Sequence, residues 1–163
     1  PNVTGNYGIT AWSNLTTGAW CNYYNNSLND ATYGKLYNWY AVETGKLCPT
    51  GWHVPTDAEW TVLSDYLTAN GHSGAEGKAL KATSGWNSGG NGTDDYGFLG
   101  LPGGSRYNYN GNFNFIGGNG YWWSSSQNGP TNAWFRFLSN GLDYVNRSNG
   151  LKDYGFSVRC LRD

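Results

Sequence analysis

Between Thr83 and Gly120 the chain is dominated by Gly and Asn. A stretch of that length without helical or strand patterning is uncommon inside a compact domain. It has to be anchored by regular elements on both sides, and such segments often carry function. No shift in composition separates it from its neighbours, so residues 1–163 are expected to form a single domain.

The regular elements fall on either side of it. Tyr33, Leu36, Tyr37, Tyr40 and Ala41 recur at three- and four-residue spacing, which predicts a short amphipathic helix ending near Gly45. A second helix is better marked. Thr56 and Glu59 form a capping box after Pro55, Trp60, Leu63 and Leu67 make one apolar stripe, and Asn70-Gly71 closes it. A brief third helix is expected around Ala75 to Ala82. Past the irregular stretch, strands are expected at 121–125, 134–138, 143–147 and 156–161. Early helices, late strands and short connections predict an α+β domain.

Composition narrows the function. Aromatic residues make up 17% of the chain and charged residues 13%, with 9 Trp and 13 Tyr. So many large rings exclude a disordered polar chain. They suit a loop-rich globular protein in which aromatics fill the core and Gly and Asn supply positive-φ turns. Tyr and Trp left outside would serve a binding surface. A formal net charge of -1 gives no footprint for nucleic acid or an anionic membrane, and no apolar run approaches the roughly 20 residues of a membrane span.

The residues carry no catalytic constellation. There is no G-x-S-x-G elbow. His53, in Gly51-Trp52-His53-Val54-Pro55, reads as a packed histidine ahead of the capped helix, and His72 as a loop residue after Asn70-Gly71. Asp94-Asp95 lacks the ligand spacing of a calcium loop. The chain is read as a non-enzyme with no metal and no cofactor. Its three cysteines, Cys21, Cys48 and Cys160, form no CxxC pair, which argues against zinc or thioredoxin-like chemistry. One disulfide plus an odd cysteine fits an exported chain; three buried thiols are the alternative.

Asn140-Gly141 between two strand patterns signals a hairpin. A two-residue turn there would pair Ser139 with Leu142, Phe137 with Tyr144 and Phe135 with Asn146. Alternation then places Trp134, Leu138 and Val145 on one face, toward the core, and Phe135, Phe137, Tyr144 and Asn146 on the other. That second face is either a binding platform or a second buried layer. Ser139, Asn146 and Ser148 on the same side favour exposure.

Several stretches carry a family resemblance. They are Ala11-Trp12-Ser13-Asn14-Leu15, Tyr33-Gly34-Lys35-Leu36-Tyr37-Asn38-Trp39-Tyr40, and the long block from Leu47-Cys48-Pro49-Thr50-Gly51-Trp52-His53-Val54-Pro55 to Trp60. Leu101-Pro102-Gly103-Gly104, Gly120-Tyr121-Trp122-Trp123-Ser124-Ser125 and Gly155-Phe156-Ser157-Val158-Arg159-Cys160-Leu161-Arg162 complete the set. Over nearly the whole chain they resemble the Fibrobacter succinogenes major paralogous domain. That family is similar to the wider C-type-lectin-like superfamily, which includes formylglycine-generating enzymes and the variable proteins of diversity-generating retroelements.

The resemblance implies a C-type-lectin-like fold with two main helices beside a small antiparallel sheet. It implies export to the extracellular space, the bacterial surface or a phage particle. It also implies a Cys48–Cys160 disulfide, leaving Cys21 free or paired outside the domain. The calcium-dependent sugar tripeptides of animal lectins are missing from the sequence, as are the paired active-site cysteines of formylglycine-generating enzymes.

In retroelement-diversified relatives, Asn codons near the C-terminus change into others, and Phe137, Ser139, Gly141, Leu142, Tyr144, Ser148, Gly150, Leu151 and Tyr154 are all reachable in that way. The expected function is therefore an extracellular receptor- or adhesin-type domain. It would bind a protein or glycan on a cell or particle surface through Phe135, Phe137, Ser139, Leu142, Tyr144, Ser148, Leu151 and Tyr154. A structural module without its own ligand and a formylglycine-generating-type enzyme are the competing readings.

Overall fold

The computed structural model describes residues 4–5 and 7–163. Its framework is a five-stranded sheet built from β5 (Gly103–Arg106), β6 (Phe113–Ile116), β7 (Asn119–Asn128), β8 (Asn132–Ser139) and β9 (Asn146–Leu151), in the order β6-β5-β7-β8-β9. All pairings are antiparallel except the single β5–β7 contact at Gly104 and Gly120. Ahead of it lie β1 (Thr4–Gly5), β2 (Ala19–Cys21) and β3 (Leu36–Tyr37), which form a small sheet, with α1 (Ile9–Trp12), α2 (Asp30–Tyr33) and α3 (Trp39–Val42) as short turns of helix. The molecule is α+β, as expected.

The capped helix forms where the sequence places it. In α4 (Asp57–Leu67) the Thr56 hydroxyl accepts from the Glu59 backbone N–H, and the Glu59 carboxylate accepts from Thr56 N–H. Trp60 and Leu67 are buried, while Leu63 is half-buried. The brief third helix is α5 (Glu76–Leu80).

The helix expected from Tyr33 to Gly45 does not form as one piece. Gly34 takes φ +69° and ends α2, Leu36–Tyr37 pair with β2, and the Asn38 side chain then caps α3 by accepting from Ala41 N–H. A three-four spacing of aromatics is thus shared among a turn, a strand and a short helix. One long helix and several short ones stand in place of two main helices.

Both faces of β7 and β8 are covered. On one side Trp122 and Leu138 pack with Trp60, Leu67, Ala79 and Leu80 from α4 and α5. On the other, Trp123 and Phe135 pack with Trp39, Val42 and Phe156. The alternation read from the sequence is real, yet it separates two cores rather than a core from solvent.

The hairpin register also differs from expectation. Phe137 pairs with Asn146 and Phe135 with Ser148, so six residues, 140–145, connect the strands. Buried Lys81 explains the longer loop. Its ammonium donates to the carbonyls of Ser139 and Leu142, and the Lys78 N–H donates to Asp143 O. Gly77 lets the loop approach, since a Cβ there would lie 2.6 Å from Tyr144 O. Satisfying a buried cation outweighs the preference of Asn-Gly for a two-residue turn.

The C-terminal end is tied by β10 (Leu161–Arg162) against β4 (Trp52–His53) and by the Cys48–Cys160 disulfide, whose Cα atoms are 5.8 Å apart. The implied pairing is therefore present, and Cys21 is a free, buried thiol. Burial pushes it up to about 11 despite the nearby Arg106 cation.

His53 clasps the same end, with Nδ1 2.6 Å from Asp163 Oδ1 and Nε2 3.0 Å from Glu59 Oε1. The hydrogen bonds to Asp163 and Glu59 raise its pKa above 6.5. A raised folded value contributes stability that is complete below pH 6.5 and lost as pH rises through it. Thermal melts should therefore show the melting temperature falling as pH rises from about 6 to 8.5. His53→Asn should flatten that slope; an unchanged slope would assign it to other groups.

Candidate functional site

A depression of about 190 Å³ opens on the sheet where β5, β6, β7 and β8 meet the segment after β9. Phe135, Tyr121 and Phe156 form its floor, while Tyr107, Phe115 and Tyr154 rise around it. Ser105, Asn149 and Gly150 complete the lining, and no charged side chain contributes.

The rings form a connected set. Tyr121 stacks on Phe156 at 4.9 Å and Tyr154 on Phe156 at 5.3 Å between centroids. Tyr107 meets Tyr154 edge-on at 5.6 Å and Tyr109 at 5.8 Å, and lies 6.4 Å from Phe115. The ladder runs from buried Phe135 and Phe156 out to Phe115, 49% exposed, and Tyr109, 70% exposed.

The scaffold under the rim is rigid. Arg106 is fully buried between Trp12 and Phe113, with its guanidinium 4.5 and 4.7 Å from the two ring centroids. It donates to the carbonyls of Gly111, Tyr7 and Gly8, which fixes the turn that carries Tyr107 and Tyr109. Gly111 at φ +63° touches Ile9 so closely that a Cβ would collide with its carbonyl. On the opposite rim, Arg106 and Gly155 exchange backbone hydrogen bonds, and the Trp12 indole donates to Asp153 O. Tyr154 is held by these contacts.

Two local features mark the site as more than leftover surface. Phe115 adopts φ +66°, a conformation that costs a bulky residue of order 1–3 kcal/mol and clusters at functional positions. Ser105 is a polar residue only 2% exposed, and it lines the depression. Burial raises the phenol pKa values of Tyr121 and Tyr154, so both keep their protons and can donate. The arrangement offers ring faces for stacking and neutral donors and acceptors for orientation. Among the described residues no three His, Cys, Asp or Glu side chains cluster as a metal centre would need.

The expected binding residues divide in two. Phe135 and Tyr154 line the depression, and Ser148 pairs with Phe135 on β9. Phe135 is 8% exposed, so its expected place on an open face is corrected: it is the floor, covered by Phe156 at 4.8 Å. Phe137 is half-buried and stacks on Tyr121 at 5.5 Å. Its expected partner Tyr144 lies instead in the 140–145 loop, 45% exposed. Ser139 and Leu142 sit with Tyr144 at the α5 end of the hairpin, away from the depression, and Leu151 is 40% exposed at the end of β9.

Tyr107, Tyr109, Phe115 and Ser105 were not anticipated. Their signal stands in the sequence. In Tyr107-Asn108-Tyr109-Asn110-Gly111-Asn112-Phe113-Asn114-Phe115 aromatics alternate with Asn about an Asn-Gly turn, a hairpin pattern inside a stretch otherwise read as irregular.

No curated protein and no solved structure matches the chain. The family model of the Fibrobacter succinogenes major domain matches residues 3–162. The chain belongs to the Fibrobacter succinogenes major domain family.

Proposed function

We propose that this chain is an extracellular ligand-binding domain of receptor or adhesin type with a C-type-lectin-like arrangement, and that it binds through the aromatic depression. The observation that carries the reading is the ring ladder itself. It joins two core residues to two exposed aromatics around an uncharged hollow. A monomer gains little by holding Phe115 and Tyr109 in water on a rigid frame. A binding surface gains rigid, amphipathic contact area at low ordering cost. The Cys48–Cys160 disulfide suits an oxidising compartment, and no helix among the described residues is long and apolar enough to cross a membrane. Ser148 and Tyr154, two of the positions reachable by Asn-codon diversification, lie on or beside the depression.

The test begins with binders selected from a displayed peptide library and from an array of neutral and acidic oligosaccharides. Tyr107→Ala and Phe115→Ala should each weaken a selected binder by about tenfold or more, as expected of aromatic anchors, with melting temperatures little changed. Binders indifferent to both substitutions would place the ligand surface elsewhere.

A further inference from the structure

A second, larger cavity of about 530 Å³ lies on the side of the molecule away from the depression's lining, between α4, the 96–98 segment and the C-terminal strand. Its volume falls within the range of small-molecule sites. Trp60, Leu63 and Leu80 form apolar walls, and Trp52, Tyr96 and Leu161 stand at its edge, each between 41% and 45% exposed. Three large apolar side chains held in water around one hollow is an arrangement that burial against a ligand would relieve.

The polar groups of the cavity are unequally spent. Glu59 is the acid in its lining, and its carboxylate is occupied: Oε2 accepts from the Thr56 N–H and hydroxyl, and Oε1 faces His53. Arg159 is the base. Its guanidinium lies 4.4 Å over the Phe98 ring and donates one hydrogen bond, from Nη2 to Phe98 O at 2.6 Å. Its other N–H groups have no partner among the described residues. The charge of Asp94 acts on Arg159, and the Asp94 Oδ1 is engaged by the Leu99 N–H. The Trp60 indole N–H is buried and also lacks an acceptor among the described residues. The walls therefore hold unspent donors and a cation, while the one carboxylate among the lining residues is already engaged.

We infer that this cavity is a second binding site, for a small amphipathic carboxylate, with the apolar body against Trp52, Trp60, Leu63 and Leu161 and the carboxylate on Arg159. A charge-assisted hydrogen bond to a guanidinium at the wall of a partly closed apolar hollow outlasts the screening that weakens surface pairs. A cationic or purely apolar ligand of the same size would leave those donors unpaired.

Decanoate, 1-decanol and decylamine, titrated into the intact domain and followed by calorimetry and by tryptophan fluorescence, test this. Decanoate should bind with Kd below about 1 mM and at least about tenfold more tightly than either other probe. Arg159→Gln should abolish that preference while keeping decanol binding, and Leu63→Trp, which fills the hollow, should remove all three. Phe115→Ala, in the other site, should change nothing, which separates failure here from failure of the proposed function. Should Arg159→Gln not fold, Trp52→Ala at an exposed position should still weaken decanoate by about fivefold or more. The inference is overturned if decanoate does not bind, if the three probes bind alike, if decylamine binds best, or if Trp52 and Leu161 prove to be covered by a second copy of the chain in solution.

Discussion

Replacing Cys48 and Cys160 together with Ala is expected to lower the free energy of unfolding by about 4 kcal/mol, within the 2–5 kcal/mol usual when a small domain loses a native disulfide. The bond spans a sequence separation of 112 residues, and a loop of that length gives about 4–5 kcal/mol by chain-entropy reasoning. That is a large share of the 5–15 kcal/mol that holds a domain of this size together. The local structure points the same way. Beyond Ser157 the C-terminal end is secured by two-residue β10, the Asp163 N–H to Gly51 O, the Arg159 contact with Phe98 and the His53 clasp. Urea unfolding of the double variant against the oxidised protein measures the loss. Amide exchange should show residues 158–163 opening first. A loss below about 1 kcal/mol would mean that the strand pairing and His53 alone hold the end.

How far the sequence reveals this fold depends on whether a segment's signal is local. Helix α4 was legible because its cap, its stripe and its stop residues lie within one stretch of chain, and the capping box forms as read. The disulfide followed from resemblance, since three cysteines without a spacing motif leave the pairing open. The hairpin register was not legible, because the group that sets it is Lys81, 58 residues before Ser139. A two-residue Asn-Gly turn is the better local choice, and a buried ammonium in need of carbonyls overrides it. The segment from Tyr33 failed for a similar reason: Gly34 and the Asn38 cap break a spacing that propensity alone would continue.

The site was half legible. Alternation along β8 correctly groups Phe135 with Phe137, but periodicity cannot tell solvent from a second core. That is decided by Trp39, Val42 and Phe156 arriving from distant parts of the chain. The rim lies in the stretch that looks least structured. Its Asn residues hide a two-residue aromatic alternation, and its geometry depends on Arg106, an arginine buried without a carboxylate partner among the described residues. A fully buried arginine between a tryptophan and a phenylalanine is not something that composition announces.

Phe135→Ala is expected to cost about 3–5 kcal/mol of stability, the usual range for truncating a buried phenylalanine, whereas Tyr144→Ala should cost less than about 1 kcal/mol. The sequence groups the two as one exposed cross-strand face, and the structure separates them. The Phe135 ring centroid lies 4.8 Å from Phe156, 5.9 Å from Trp123 and 6.0 Å from Tyr121, and its edge closes against Gly150, where an added Cβ would lie 3.2 Å away. Nothing flexible stands ready to fill the space, because Trp123 is anchored through its indole N–H to Tyr37 O. The surrounding structure therefore relaxes little, and the cavity term is retained. Tyr144 is 45% exposed on a loop held by hydrogen bonds from the Lys78 backbone N–H to Asp143 O and from the Lys81 ammonium to Leu142 O, so removing its ring leaves those ties intact. Chemical unfolding of the two variants decides between the arrangements. Because Phe135 is also the floor of the depression, binders selected on that surface should weaken per folded molecule in Phe135→Ala and keep their affinity in Tyr144→Ala. Similar small losses of stability for both, with binding lost only in Tyr144→Ala, would return the site to the open hairpin face.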